Sequence, residues 1–175
     1  MSTITVGGVD ATWTWGDIAR ELVMGLQFHD RSLVACYGLS ISQSHALLLL
    51  SRRGPRTMGR LAAELYLSAS TMTRIVDQLR RKRLVRRQRA ADDGRRMEIV
   101  LTPLGEALAE KLEACYREAE AFVLGHLPEP ERPRLLAAFG ATVRALRVWH
   151  TQCCRGGAPG TNGGRKAGSA ETCCG

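Results

Sequence analysis

No uninterrupted apolar run in this 175-residue chain exceeds five residues, as at Ala46–Leu50. A membrane-spanning helix needs about 20, so no membrane partner is expected. The opening MSTITVGGVDATWTW has no basic segment followed by an apolar one, so no secretory signal is read and a cytoplasmic location is expected. Aromatics make up only 5% of the chain, and six Pro and eighteen Gly give no hint of a large catalytic scaffold. His29, His45, His126 and His150 are scattered without metal-ligand spacing, no Gly-rich phosphate loop is present, and no paired acids suggest acid/base work. Each His reads as a surface or packing residue, with His150 worth watching because it lies three residues before Cys153. No catalytic residue is therefore assigned. The enzyme alternative, a thiol oxidoreductase, would need a C-x-x-C motif that the chain lacks; disulfide-reductase turnover separates the two readings.

What is present is positive charge in one place. Residues 51–96 hold 14 Lys plus Arg against 4 Asp plus Glu, a net of +10, while the rest of the chain is at −2. A charge run alone usually marks a solvated face. Here the excess coincides with a structural pattern, and such a module is suited to neutralising phosphates and releasing their counterions.

That pattern is the stretch TMGRLAAELYLSASTMTRIVDQLRRKRLVRRQRAADDGRRMEIVLT, from Thr57 to Thr102. It reads as helix, turn, helix, then two short strands joined by a charged loop. The first helix runs from about Thr57 to Tyr66. The second starts near Ser68 or Ser70, whose hydroxyls can cap exposed N–H groups, and continues to about Arg83. Ala69, Met72, Ile75, Val76 and Leu79 fall at spacings of three and four and form its buried face. Ser70, Thr71, Thr73, Arg74, Asp77, Gln78 and Arg81 face the other way. Short hydroxyl residues followed by Arg and Gln suit a helix lying in a major groove, with Arg74 the leading candidate for a base contact. Leu84–Gln88 and Met97–Leu101 are the expected strands, flanking a loop that contains Asp-Asp-Gly. Arg95 and Arg96 at its tip can follow the backbone or enter a narrow minor groove, and Arg86 with Arg87 can meet phosphates.

Asp93-Gly94-Arg95, then Met97–Leu101, closed by Leu101-Thr102-Pro103-Leu104-Gly105, resembles the wing and following helix start of the MarR family of bacterial transcriptional regulators. SASTMTRIVDQLRRKRLVRR before it resembles the same family. The likeness covers roughly residues 15 to 150. It implies a mainly α (α+β) fold: a winged helix-turn-helix with N- and C-terminal dimerisation helices, in an obligate homodimer. It also implies that Asp93 positions the wing residue Arg95. The DNA-binding set expected on these grounds is Ser68, Ser70, Thr71, Thr73, Arg74, Gln78, Arg86, Arg87, Asp93, Arg95 and Arg96, with double-stranded operator DNA and a second copy of the chain as partners.

The remaining chain divides around this module. Residues 1–13 read as a flexible arm. Residues 14–37 read as a dimerisation helix, in which Ile18, Leu22, Val23 and Leu26 mark an amphipathic face from Trp15 to about Cys36, ended by Gly38. Residues 38–102 form the winged helix-turn-helix region, beginning with a helix opened by Ser40-Ile41-Ser42-Gln43 and closed by Arg52-Arg53-Gly54-Pro55. In residues 103–152, Thr102 caps a helix with Pro103 at its first position, extending to about Leu127. Pro128, Pro130 and Pro133 then precede a last amphipathic helix with Leu135, Leu136, Phe139, Val143, Leu146 and Trp149 in phase. First and last helices have no other evident partner within the chain, which points to pairing with a second subunit. A two-fold dimer would read a pseudo-palindromic operator with half-sites about one turn apart.

Residues 153–175 read as a flexible Cys-rich tail, Gly-rich and short of apolar side chains. Two vicinal pairs, Cys153-Cys154 and Cys173-Cys174, are separated by eighteen residues, six of them Gly. In a reducing compartment thiols suit metal binding or redox sensing better than a disulfide framework. Thiolates select soft ions, so trivalent arsenic or antimony, Hg(II) or Cu(I) are candidate inducers, with no cofactor otherwise required. Three competing readings stand beside this one: oxidation to a disulfide between the pairs, a small aromatic inducer of the kind many family members bind, and a tail without a role. Zinc frameworks space cysteines differently, and the terminal CCG lacks C-a-a-X spacing. Cys36 and Cys115 are expected to be buried small apolar residues.

Overall fold

Hydroxyl side chains set where the helices begin. In the computed structural model, which describes residues 13–90 and 94–153 with side chains to Trp149, five helices start on such a cap. Thr14 caps α1 (Trp15–Ala35) and Ser40 caps α2 (Ile41–Arg53), each in a reciprocal capping box, with Asp17 and Gln43 respectively. Thr57 caps α3 (Met58–Glu64), Ser68 caps α4 (Ala69–Arg81), and Thr102 caps α5 (Pro103–Gly125) with Pro103 in its first turn. Each cap supplies an acceptor for an N–H that has no helical partner. A 3-10 turn at Glu129–Glu131 leads into α6 (Arg132–Cys153). Three strands, β1 (Arg56–Thr57), β2 (Val85–Arg89) and β3 (Met97–Leu101), form an antiparallel sheet in the order β1-β3-β2. The register pairs Arg87 with Ile99 and Arg56 with Ile99 on opposite sides of β3.

The core lies between α2, α3, α4, the sheet and the first half of α5. Leu47, Leu61, Met72, Val76, Leu79 and Leu112 are its fully buried large side chains. Burial of such residues is the main stabilising term, at about 1.5–3 kcal/mol each. On α4 the expected buried face is found at Met72, Ile75, Val76 and Leu79. Ala69 departs from it: as the first helical residue it is exposed, because the chain has not yet turned onto the core.

Three helix ends close with the same six-to-one hydrogen bond. Leu39 N–H donates to the Val34 carbonyl, Leu67 to Ala62 and Leu84 to Leu79. The residue before each donor must be left-handed. Gly38 fills that position after α1, whereas Tyr66 (φ 55°) and Arg83 (φ 58°) are strained there.

Gly105 is needed for a different reason. A Cβ at this position would lie 2.0 Å from the Leu84 carbonyl oxygen. The same junction holds two hydrogen bonds, from Thr102 N–H to the Leu84 carbonyl (3.0 Å) and from the Thr102 hydroxyl to the Arg83 carbonyl (2.6 Å). The start of α5 is thereby fixed to the base of the β2–β3 wing.

Most sequence expectations for the elements agree within two or three residues. The exception is β1, a two-residue strand that the sequence reading placed in a breaker and a helix start. Apolar side chains remain exposed on α1, the second half of α5 and α6, including Phe28 (71% exposed), Phe122 (69%) and Trp149 (57%). Among the described residues no helix is long and apolar enough to cross a membrane.

Candidate nucleic-acid interface

The outward face of α4 is built by its cap and its apolar phase. With Met72, Ile75, Val76 and Leu79 turned inward, Ser70, Thr71, Thr73, Arg74, Gln78 and Arg81 stand exposed. Ser68 is occupied in capping: its hydroxyl oxygen accepts the Thr71 N–H at 3.2 Å and lies within hydrogen-bond distance of the Ser70 and Thr71 hydroxyls. The Thr73 hydroxyl donates to the Ala69 carbonyl (2.9 Å). Among the described residues Arg74 has no hydrogen-bond or ion-pair partner, so its guanidinium projects with all five donors open. Gln78 is partly committed, since its side-chain oxygen accepts from the Gln43 amide of α2 at 2.6 Å. The Lys82 ammonium donates to the Gly38 carbonyl (2.5 Å), a second tie from this region to the end of α1.

The sheet adds the second half of the surface. Arg86 and Arg87 are consecutive on β2 and exposed, so they leave the strand on opposite faces. Arg87 donates to Asp77 Oδ1 at 3.3 Å, and Arg80 reaches the same oxygen at 3.3 Å. Arg95 and Arg96 are exposed just before β3. Asp93, expected to position Arg95, lies outside the described residues.

Two interhelical clusters were not found by sequence reasoning. The first joins α1, α2 and α5: the Tyr116 hydroxyl donates to Asp30 Oδ1 (2.8 Å), and His45 Nε2 lies 3.4 Å from Asp30 Oδ2. Burial, followed by the Asp30 hydrogen bond, pushes the Tyr116 phenol up to about 12. Beside it Arg52 donates from Nε to Glu113 Oε1 (2.5 Å) and from Nη2 to Glu113 Oε2 (2.8 Å). The second feature is an apolar cavity of about 900 Å³ between α1, α5 and the start of α6, lined by Ile18, Leu22, Leu26, Phe122, Val123 and Leu136. His29 also lines it, edge-on to Tyr116, with its Nε2 buried and lacking a hydrogen-bond partner among the described residues. The available signal was His29-Asp30 interrupting the apolar stripe of α1.

The cysteines need one correction. Cys36 is exposed, its thiol 3.6 Å from the Ser32 carbonyl, and Cys115 is half-buried against the Tyr37 hydroxyl at 3.8 Å. Neither is a core residue: Cys36 caps α1 beyond the last core-facing turn, and Cys115 sits at the edge of the α5 contact. The Cys115 thiol, followed by burial, holds the Tyr37 phenol above its ordinary value. Cys153 ends α6 and its side chain, with Cys154, Cys173, Cys174 and His150, lies outside the described set. No group of three or more His, Cys, Asp or Glu side chains suited to a metal occurs among the described residues.

Comparison with known proteins bears on the whole arrangement. A sequence model described as the MarR family matches residues 37–96, the region from the end of α1 to the wing. An uncharacterized HTH-type transcriptional regulator of Bacillus subtilis, YsmB, is 30% identical over 93 residues, which span 53% of this chain and 64% of that protein. The HTH-type transcriptional repressor Rv2887 of Mycobacterium tuberculosis is 29% identical over 107 residues, 59% of this chain and 77% of that protein. Among solved structures, Staphylococcus aureus MepR in a DNA-binding conformation superposes with a TM-score of 0.67 at 24% identity, covering 77% of this chain and 99% of MepR. The transcriptional regulator BldR of Sulfolobus solfataricus gives 0.61 at 25% identity, covering 74% and 91%. Residues 37–96, which hold the capped α4 and the β2–β3 wing, are thus similar to the MarR family of helix-turn-helix transcriptional regulators, and the fold of the chain is the one seen in MepR and BldR.

Proposed function

We propose that the protein is a DNA-binding transcriptional repressor acting as a homodimer. The observation that carries this reading is the outward face of α4, where open Arg74 stands among short hydroxyl residues beside a wing bearing Arg86, Arg95 and Arg96. Arg74, Ser70 and Thr71 read base edges in the major groove, and Arg86 with the wing residues Arg95 and Arg96 follows the backbone. Exposed Phe28, Phe122 and Trp149 support a second copy packed against α1, α5 and α6, since contiguous apolar surface of this kind usually marks an interface. A repressor described for Mycobacterium tuberculosis and the DNA-binding conformation described for MepR point the same way.

Release from DNA requires an effector, and two chemistries have support. The α1–α5 cavity, apolar with one buried unpaired imidazole nitrogen, fits a small aromatic molecule bearing a single polar group. The vicinal pairs Cys153-Cys154 and Cys173-Cys174 fit trivalent arsenic or antimony, with peroxide-driven disulfide formation as the redox variant.

One titration separates these. An operator duplex is selected from the DNA upstream of the protein's own gene, and anisotropy is followed for the full chain and for a chain ending at Gln152, with salicylate, arsenite, antimonite, Zn(II) and peroxide. Release of the full chain alone by arsenite or antimonite assigns sensing to the tail thiols. Release of both chains by salicylate, abolished by His29→Leu, assigns it to the cavity. If no duplex is selected and no arginine-dependent binding to DNA occurs, the repressor reading fails.

A further inference from the structure

We infer that Asp77 is a specificity-determining residue of the DNA-reading surface, one that withholds two arginines from sequence-independent contact with phosphates. This rests on the DNA-binding reading above. An open cleft of about 640 Å³ at the C-terminal end of α4 is lined by Asp77, Arg80, Arg81, Val85, Arg86 and Arg87. Four guanidinium groups thus surround one carboxylate. They are not equivalent. Arg80, one helical turn on, and Arg87, ten residues on and in β2, both donate to the same oxygen, Asp77 Oδ1, at 3.3 Å. Arg81 and Arg86 have no ion-pair partner among the described residues.

The placement of this carboxylate is unfavourable for simple attraction to DNA. Asp77 lies one turn beyond Arg74 on the outward part of α4, with its side chain 38% exposed. A fixed negative charge there repels phosphates of any sequence and competes with them for Arg80 and Arg87. Only when the helix is seated in a matched groove do base contacts outweigh that repulsion. Random DNA gains no such compensation, so the carboxylate lowers non-specific affinity more than specific affinity. The contact from Asp77 to Arg87 also crosses from recognition helix to wing strand, keeping the Arg87 guanidinium turned toward α4.

The test is the salt dependence of binding to a random duplex and to a selected operator, for the full chain. Asp77→Asn frees two guanidinium groups. Each additional phosphate contact steepens the slope of log K against log salt by about 0.9, equivalent to about eightfold in affinity at 0.1 M relative to 1 M salt. Asp77→Asn is therefore expected to tighten random-duplex binding by about tenfold, to steepen its slope by about 0.9 to 1.8, and to reduce the operator-to-random ratio. Asp77→Glu, which keeps the charge, is expected to retain the wild-type ratio. Arg87→Gln is expected to leave the random-duplex slope unchanged, because Arg87 is already withheld. An Asp77→Asn protein that weakens both duplexes equally overturns the inference, as does a loss of about 0.9 in slope on Arg87→Gln. The second result decides the matter even where Asp77→Asn fails to fold. A wild-type chain that binds neither duplex refutes the DNA-binding reading itself, whereas one that binds normally but is indifferent to Asp77 refutes only this assignment.

Discussion

Replacing Gly105 by Ala adds a single methyl group where the start of α5 meets the wing. Its carbon would sit 2.0 Å from the Leu84 carbonyl oxygen and 3.0 Å from the carbonyl carbon. Both are backbone atoms, so no flexible side chain can swing aside. Restoring even a tight contact of 3.0 Å requires the two segments to part by at least about 1 Å. Parting them breaks or stretches the bonds from Thr102 to Leu84 and Arg83. At about 0.5–1.5 kcal/mol for each bond, with about 1–3 kcal/mol for displaced packing, the loss is about 3 kcal/mol. For a chain of this size that corresponds to a fall in Tm of about 6–12 °C. Gly59→Ala is the control, because nothing lies within 4 Å of its added Cβ and it should fall within about 0.5 kcal/mol of wild type. Thermal unfolding followed by circular dichroism at fixed protomer concentration measures both. Equal Tm values for the two variants would refute the argument from close approach.

Arg74→Ala should weaken operator binding by about 1–3 kcal/mol in anisotropy titrations while changing random-duplex affinity much less; an unchanged operator affinity refutes the docking of α4. Arg83→Gly removes a left-handed strain of about 1–2 kcal/mol at the end of α4, offset by about 0.4–1 kcal/mol of unfolded-chain entropy, so Tm should rise by a few degrees rather than fall. The Arg52 guanidinium holds the Glu113 carboxyl below its ordinary value near 4.5, and this is a depressed carboxylate. Its contribution to stability is present above that value and lost as pH falls through the lowered one. Because Arg52 is 62% exposed, solvent limits the pair to no more than about 1 kcal/mol. Urea unfolding of Glu113→Gln should therefore show a small deficit at pH 7 that shrinks as the pH falls below 4.5 and through the lowered value, and a deficit independent of pH would contradict the assignment.

The reading helix, the wing strands and α5 were legible because each carries a local signal. Ser68 and Thr102 are caps, Pro103 sits at a helix start, and Met72, Ile75, Val76 and Leu79 repeat at helical spacing. Ala69 has the same apolar character but precedes the turn that would bury it. β1 was missed because two residues carry no periodicity, and Arg56 and Thr57 become a strand only by pairing with β3. The Asp30–Tyr116 bond and the His45–Asp30 contact join residues far apart in the chain, which no local pattern reports. Gln78 was legible as outward-facing but not as bonded to Gln43, for the same reason. The exposure of Cys36 and Cys115 depends on where their helices leave the core, so residue type alone misplaced them.

The junction at Gly105 makes α5 a lever. Its 23 residues, at about 1.5 Å of rise each, give an arm roughly 34 Å long. One end is fixed to the wing, and the other carries Phe122 and Val123 among exposed apolar helices. With the apolar end as pivot, a tilt of about 6° displaces the wing end by roughly 3.5 Å, about the rise of one base pair. A displacement small enough to be absorbed by rotamer changes near the cavity would thus move a reading head out of register with its half-site.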